Sequence, residues 1–392
     1  MQYTYPSYYS SFRCTGSACP DTCCAGWNIA IDRKSLKKYR NAARKRFSLF
    51  PKRTTRNAAS FSKKLARSID FRHGTFRLSG RRCPFLDQQN LCEIYQNLGK
   101  DSLCGTCRIY PRHQEEYGNL REISLSLSCP EAAGIILKNP DRPAFLTRQT
   151  SRTCPPEERV DEALLSFLLS GRSTVLELIW RPSGIPMALA FTHDLQRRIR
   201  LSQTAPEDVS RLSGRYLNPE APHRFLAQLQ NKQAAALSYK TERHSDRHTK
   251  QLRWLTGCIR LFASLEPVAD QWTDRMHHLK RAVSAASQTE LDAFFTRPWT
   301  QEERNILAYF ITVSYPGAVY DENVFGNMQL SLVSLLMIRA LSVFLPMPLE
   351  KAAYLYSREV ENSDANLTAL ADAFQSSPLY AFRSLLELTA RI

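Results

Sequence analysis

Nine of the eleven cysteines lie within the first 129 residues, and this segregation constrains the chain more than any other feature. A buried cysteine ordinarily acts as a small hydrophobic residue, and such residues are scattered through a core. The cysteines here are instead grouped in blocks with short spacings: Cys14, Cys19, Cys23, Cys24, Cys83, Cys92, Cys104, Cys107 and Cys129. We therefore expect this part of the chain to use its thiols chemically.

The spacings within the blocks are those of metal ligands. "CGTC", from Cys104 to Cys107, lets two sulfur atoms face one ion from a single turn, and "CPDTCC" supplies three more. Basic neighbours such as Arg108 and Arg112 favour the thiolate form. Four thiolates serve zinc and a [4Fe–4S] cluster alike, so the metal stays open. A redox CxxC with unligated thiols is disfavoured, because that motif normally lies in a βαβ context that is missing here.

The basic residues are concentrated in the same part of the chain. Residues 1–125 hold 23 Lys+Arg against 9 Asp+Glu, whereas the other residues hold 30 against 28. Asp70 is the only acidic residue among 18 basic ones between Arg33 and Arg82. Such a face could contact an anionic membrane or an acidic protein surface, or it could simply be solvated. Its few aromatic residues fit a helix core better than a base-stacking platform, which disfavours nucleic acid.

The remaining pattern predicts a mainly α protein. We expect a small, basic, cysteine-rich α+β head that binds metal at residues 1–140, followed by an all-α helical domain at residues 155–392. Apolar residues recur at helical spacing through the second part, and strand signals there are scarce. The segment 136–158, rich in Pro, Arg and Thr, is the predicted linker.

Local signals place several elements. Asp32 is the expected N-cap of a helix whose apolar stripe contains Leu36, Tyr39, Ala43 and Phe47. A hairpin should turn at residues 118–119, and a helix should begin with a proline at position 130. The segment "PPEERVDEALLSFLLSG" is expected to form a helix that ends at its glycine.

Neither the N-terminus nor the longest apolar run shows a membrane signal. The N-terminus "MQYTYPSYYSSF" lacks the basic and apolar regions of a secretory signal. The longest apolar run, Leu330 to Leu345, is interrupted by Arg339 and is shorter than the roughly 20 residues that a span needs. We expect a buried core helix there. We also expect a cytoplasmic protein, because reducing conditions keep thiols available for metal.

Three stretches carry a family resemblance: "CTGSACPDTCCAGW", "CPFLDQQNLCEIYQNLGKDSLCGTCRIYPR" and "LSLSCPEAAG". They resemble the cysteine-cluster proteins thought to chelate zinc or iron. More closely, they are similar to the flagellin lysine-N-methylase family of flagellated enterobacteria. The resemblance covers about the first third of the chain, and "YDENVFGN" at 320–327 is the one similar phrase in the helical part.

The resemblance implies a cytoplasmic enzyme that transfers methyl groups from S-adenosylmethionine to lysine ε-amines of flagellin. It also implies a bound iron–sulfur cluster, for which [4Fe–4S] is the expected type and zinc is the alternative metal. The family's cysteine pattern falls on the nine cysteines named above. Under this interpretation residues 33–82 would dock on flagellin or on the inner leaflet of the membrane. The consensus CxxCxxCC is shorter than the C-x4-C-x3-CC found here.

The residues themselves do not identify the catalytic or cofactor-binding groups. The sequence has no Gly-x-Gly, so no glycine-rich cofactor loop is visible, and Gly26 occupies the third cysteine position of a radical S-adenosylmethionine motif. Asp321 and Glu322 could hold a substrate ammonium, although a polar loop before a core helix is the favoured interpretation. A zinc-binding interaction module without catalysis and a metal carrier remain alternatives.

Overall fold

The computed structural model of the chain describes residues 1–25, 29–44, 58–151, 159–225, 227, 228, 244–269 and 271–390. Helices dominate these residues, and the strands lie near the N-terminus, so the predicted mainly α class is confirmed. The helices are α1 (Arg33–Arg44), α2 (Ala58–Ser68), α3 (Glu93–Leu98), α4 (Gly105–Ile109), α5 (Pro130–Leu137), α6 (Glu162–Leu178), α7 (Gly184–Arg200), α8 (Pro206–Leu217), α9 (His244–Ala263), α10 (Trp272–Ala285), α11 (Gln288–Thr296), α12 (Gln301–Ser314), α13 (Ala318–Asp321), α14 (Val324–Phe344), α15 (Leu349–Val360), α16 (Asp364–Ser376) and α17 (Phe382–Thr389). The strands are β1 (Gln2–Pro6), β2 (Ile69–Asp70), β3 (Thr75–Phe76), β4 (Arg112–Tyr117), β5 (Leu120–Leu125) and β6 (Phe145–Gln149).

A four-stranded sheet forms from distant segments, in the order β4-β5-β1-β6. β4 and β5 are the predicted hairpin, and Gly118 at its turn takes a φ of 57°, which favours glycine. β1 runs parallel to β5, with Gln2 opposite Leu120, and antiparallel to β6, with Gln2 opposite Gln149. The segment predicted as a linker thus supplies an edge strand; its residues 152–158 lie outside the described part.

Local patterns located the helices but misplaced both ends of α6, which begins at Glu162, behind its N-cap Asp161, and so later than the expected segment. Asp32 Oδ1 accepts the N–H of Ser35 at 2.9 Å, which caps α1 as predicted. α6 was expected to end at Gly171, yet it continues to Leu178. A Cβ at Gly171 would lie 2.6 Å from the Leu195 side chain. The glycine therefore permits close packing against α7 and does not end the helix.

Buried apolar side chains form two cores. The smaller core joins α1, α2 and the loops that carry most cysteines, with Tyr39 and Phe85 fully buried in it. Phe47, expected in the stripe of α1, lies outside the described residues. The larger core contains the helical body together with β5 and α5, including Leu125 and Ala133. The head therefore contacts the body through shared apolar packing, and the division near residue 140 stays a prediction.

α14 lies at the centre of the larger core. By length and composition it is the one helix in the described residues that could cross a membrane, and 78% of its apolar window is buried inside the protein. This burial confirms the predicted core helix. Arg339, which interrupts the apolar run, is fully buried and pairs with Glu303 of α12 at 2.8 Å. The interruption is therefore an internal ion pair that ties two core helices together.

Candidate metal centre

The first cysteine block is a turn held by its own side chains. Asp21 Oδ1 accepts the N–H of Thr22 at 2.7 Å, and Thr22 Oγ1 accepts the N–H of Cys24 at 3.1 Å. The sulfur atoms of Cys23 and Cys24 are 3.9 Å apart. The Cys24 carbonyl accepts the N–H of Cys83 at 2.7 Å. The backbone therefore pairs the first block directly with the second.

The second block consists of Cys83 and Cys92, joined by a tight loop. Asp87 Oδ1 accepts the N–H of Leu91 at 2.8 Å, which closes the loop. The N–H of Phe85 approaches the Cys83 sulfur and favours its thiolate form. Cys92 stands at the N-cap of α3, where backbone N–H groups of the first turn approach its sulfur. Backbone donors thus surround both sulfurs, as they do at metal-bound thiolates.

The third block, "CGTC", begins at the N-cap of α4 with Cys104, which is fully buried. Asp32 Oδ2 accepts the N–H of Gly105 at 2.7 Å. Thr106 Oγ1 donates to the Ala30 carbonyl at 3.0 Å. These two hydrogen bonds fasten the block to the start of α1. Asp32 therefore serves both as a helix cap and as a support for the cysteine loop.

Five cysteines from the three blocks lie in or pack against the smaller core, and we name them the inner group: Cys24, Cys83, Cys92, Cys104 and Cys107. Burial, with smaller contributions from the sulfurs of Cys92 and Cys104, raises the pKa of Cys83 to about 11. A bound cation removes this penalty, because coordination deprotonates a thiol outright. Soft, buried donors with backbone N–H support fit zinc or an iron–sulfur cluster.

Cys104 and Cys107 share a proton within the inner group. A hydrogen bond from Cys107 lowers the pKa of Cys104 to about 7, and the same bond raises the pKa of Cys107. Near neutral pH one sulfur of the pair is readily ionised while the other keeps its proton. A metal ion would displace that proton, so binding is coupled to proton release.

A second set, the outer group, consists of Cys19, Cys23 and Cys129. Cys129 stands at the N-cap of α5, and burial raises its pKa to about 11, with smaller contributions from Cys19 and Cys23. A hydrogen bond with Cys24 raises the pKa of Cys23, as does burial. Cys23 therefore lies between the two groups.

The three remaining cysteines belong to neither group. Cys14 is exposed, Cys258 is buried in the larger core, and Cys154 lies outside the described residues. Across the described ranges, no three side chains from His, Cys, Asp or Glu already stand at the mutual distances of a bound ion. The nine-cysteine ligand set therefore stays a prediction, and the inner group is the part of it that the fold brings together.

Arginine side chains fasten the cysteine head to the body. Arg358 of α15 donates to Asp21 Oδ2 at 2.6 Å and to the Ser128 carbonyl at 2.9 Å. It thereby links the first block to the residue preceding Cys129. Arg81, two residues before Cys83, donates to the Pro267 carbonyl at 2.6 Å. Neither contact was predictable from the sequence, because no local pattern distinguishes Arg358 from any other helix-surface arginine.

The basic face consists of exposed side chains on α1, α2 and the following turns. They are Arg33, Lys34, Lys37, Arg40, Arg44, Lys63, Arg67, Arg72, Arg77 and Arg82. Asp70, the single acidic residue of this stretch, contacts His73 at 3.0 Å and Arg77 at 3.7 Å. Residues 45–57 lie outside the described part. The face covers the smaller core and so lies on the same unit as the inner group.

Asp32 offers a test of the support for the inner group. Hydrogen bonds from Gly105 and Ser35 outweigh the opposing effect of burial and lower its pKa to about 2, from 3.8. Its stabilising effect is complete above about pH 4 and is lost as the pH falls through 2. We expect Asp32→Ala to weaken metal binding roughly 10–100-fold, as loss of an outer-shell partner does. Competition with a metal-responsive chelator measures the metal affinities of the variant and the wild-type protein.

Asp161→Ala is the matched control, because Asp161 caps α6 through the N–H groups of Ala163 and Leu164 at 2.9 Å. Each substitution removes one helix cap and should cost about 0.5–2 kcal/mol of unfolding free energy. Only Asp32→Ala should change metal affinity. Equal metal affinity in the two variants would contradict a supporting role for Asp32.

The fold and the cysteine blocks define a cysteine-cluster protein with a helical body. Residues 13–124 match the family model "CxxCxxCC: Putative zinc- or iron-chelating domain". The chain is 37% identical over 144 residues to the flagellar biosynthetic protein FliU of Salmonella muenchen, covering 80% of that protein. The chain belongs to the flagellin lysine-N-methylase family, as its cysteine blocks indicated.

Two longer relatives are named lysine-N-methylase. The protein of Salmonella typhimurium is 36% identical over 174 residues, and that of Salmonella choleraesuis is 35% identical over the same length. Each match covers 43% of this chain and 41% of the relative, so it spans less than half of either protein. No solved structure matches the chain.

Proposed function

We propose that this protein is a cytoplasmic methyltransferase that moves methyl groups from S-adenosylmethionine to lysine ε-amines of flagellin. The observation that carries the proposal is the similarity to proteins named lysine-N-methylase, together with a relative named for flagellar biosynthesis. The convergence of cysteines from three separate blocks adds support, because the matched family model describes a chelating domain.

The proposed reaction is a displacement at carbon. The lysine nitrogen attacks the methyl carbon, the N–CH₃ bond forms, the S–CH₃ bond breaks, and S-adenosylhomocysteine leaves. The nitrogen must be uncharged to attack, so its proton passes to an acceptor, and desolvation favours the neutral amine. Alignment of the nitrogen, methyl carbon and sulfur supplies much of the rate. Side chains of the protein must therefore hold the donor and the lysine in line and exclude water.

The metal centre is proposed to be an iron–sulfur cluster held by thiolates of the nine cysteines, with the inner group as its main ligands. The displacement itself needs no iron, and a bound cluster would supply either structural stability or one-electron chemistry. Residues 33–82 are proposed to dock the substrate protein, and their charge also suits a peripheral contact with the anionic leaflet.

The test uses full-length protein purified without oxygen. We expect about four iron and four sulfide per chain, as in a [4Fe–4S] protein. Incubation with S-adenosylmethionine and unmethylated flagellin should then add methyl groups to flagellin lysines, detected by mass spectrometry of its peptides. A lysine-free peptide of flagellin is the internal control. Flagellin that keeps its mass after incubation with cluster-replete protein contradicts the proposed activity.

Metal analysis also separates the alternatives. Zinc without sulfide, combined with nucleic-acid binding that weakens steeply with salt, would favour an interaction module, for which the net positive charge of residues 1–125 is the supporting observation. Stoichiometric transfer of metal to an apo-acceptor would favour a carrier. Both results differ from methylation of flagellin by a stable holoprotein.

A further inference from the structure

Two adjoining cavities open on the helical body, away from the cysteine blocks. Their volumes are about 880 Å³ and about 350 Å³, and Gln196, Arg200 and Phe325 line both. Small-molecule sites commonly measure roughly 300–1,000 Å³. We name the combined depression the α7–α14 groove, because residues of α7 and of the start of α14 form its floor.

The floor includes the phrase "YDENVFGN", which the cysteine chemistry leaves without a role. Gln196 Nε2 donates to the Glu322 carbonyl at 2.8 Å, and Gln196 Oε1 accepts the N–H of Phe325 at 3.0 Å. Asn323 Oδ1 accepts the N–H of Gly326 at 3.1 Å and so caps α14. Glu322 takes a left-handed φ of 56°, a strained conformation for this residue. The turn is therefore held in one strained shape by a buried amide.

One wall of the groove is aromatic. The rings of His193 and Phe382 stack, with centroids 4.1 Å apart and planes inclined by 15°. Phe325 meets His193 edge-on at 5.4 Å and Phe382 at 6.2 Å. Burial lowers the pKa of His193, so its ring is uncharged near neutral pH. Three neutral rings of this kind form a stacking surface for another flat heteroaromatic ring.

Charges of both signs line the groove. Arg197 and Arg200 line the smaller cavity beside the aromatic wall, and both are exposed. Asp321 and Glu322 line the larger cavity and are also exposed. In the part of the chain that the structure describes, none of these four side chains forms an ion pair within 4.0 Å. The groove therefore suits a ligand that carries an anion and a cation on a flat ring system.

We propose that the α7–α14 groove binds S-adenosylmethionine. The adenine stacks on the aromatic wall, the carboxylate meets Arg197 and Arg200, and the ammonium and sulfonium cations lie toward Asp321 and Glu322. Aromatic faces also attract such cations. The inference rests on the proposed function, which requires this ligand, and it supplies a binding place in a chain without a glycine-rich cofactor loop.

Calorimetric titration of the full-length protein with S-adenosylmethionine, and separately with S-adenosylhomocysteine, tests the proposal. We expect Arg200→Glu to weaken binding of both more than about tenfold, because it replaces attraction of the carboxylate by repulsion. Arg211→Glu is the matched control, since Arg211 is an exposed arginine on α8 that does not line the groove. Phe382→Ala should weaken both ligands through lost stacking. Unchanged melting temperatures show that the variants are folded.

Hydrogen exchange provides a readout that needs no variant: S-adenosylhomocysteine should slow amide exchange at residues 320–327. The inference is overturned, while the proposed function survives, if the wild-type protein and the Arg200→Glu variant bind the ligand with equal affinity and the ligand does not slow amide exchange at residues 320–327. Absence of any binding by the cluster-replete wild type overturns both. The groove is supported as the binding site if Arg200→Glu weakens binding, Arg211→Glu does not, and the ligand slows amide exchange at residues 320–327.

Discussion

Replacing Cys104 by serine should abolish metal binding by this protein and, with it, methylation of flagellin. Cys104 is fully buried, and its pKa is lowered to about 7 by a hydrogen bond from Cys107, so it ionises more readily than Cys83, Cys92 and Cys107, whose pKa values are raised. Serine cannot supply a thiolate at that position. Since even an outer-shell partner contributes roughly 10–100-fold to affinity, loss of a direct ligand should exceed about 100-fold. Metal and sulfide content after anaerobic purification measure the loss.

Cys258→Ala is the matched control, because it also removes one buried thiol but lies in the core of the body. It should keep the full metal content, at a small cost in stability. Loss of metal should also loosen the head selectively, since binding of a structural metal is coupled to folding. Amide exchange should quicken over residues 83–109 and stay unchanged in α14. Full metal occupancy in Cys104→Ser would refute its assignment as a ligand.

Replacing Glu303 by glutamine should destabilise the helical body by about 3–5 kcal/mol. Glu303 is fully buried and accepts from Arg339 at 2.8 Å, from Arg297 at 2.6 Å and from the N–H of Thr300 at 3.0 Å. Removing its charge takes away the carboxylate that pairs with the buried Arg339 guanidinium, which lies 4.0 Å from the centroid of the Trp299 ring. Urea unfolding followed by circular dichroism measures the loss of unfolding free energy.

The exposed pair Arg383–Glu387 supplies the control. Its atoms are 2.9 Å apart, close to the 2.8 Å of the Arg339–Glu303 pair, but its side chains are 80% and 43% exposed, so Glu387→Gln should change stability by less than about 1 kcal/mol. The double substitution Glu303→Leu with Arg339→Met should recover much of the loss, because an apolar pair carries no desolvation cost. An effect of Glu303→Gln as small as that of Glu387→Gln would contradict the assignment of a buried network.

Elements with strong local signals were predictable. The cap at Asp32, the hairpin turn at Gly118 and the proline that starts α5 each act within a few residues, so sequence alone locates them. β1 and β6 carry no such signal, because β1 pairs with β5 on one side and with β6 on the other, each more than a hundred residues away in the sequence. Gly171 misled the prediction for a related reason, since its role depends on how closely α7 packs.

The candidate site divides in the same way. Ligand-type spacing identified the cysteines, yet it could not show that the backbone of Cys24 pairs with that of Cys83, or that Cys129 stands at the N-cap position of a helix in the larger core. It also gave no sign of Arg358, whose contacts with Asp21 and Ser128 lie more than two hundred residues away. Of the α7–α14 groove, the sequence showed only the phrase "YDENVFGN". The aromatic wall could not be predicted, because its rings come from three separate helices.

The amino-acid sequence was enough to predict the mainly α class, to locate the thiols and the positive charge in the head, and to predict that the apolar run around Arg339 is buried. These properties follow from composition and periodicity, which act along the chain. Tertiary structure alone decided which thiols meet, which arginine joins head to body, and how the residues at 320–327 form a groove with α7. Such choices depend on packing and hydrogen bonds between distant segments, and no local pattern encodes them.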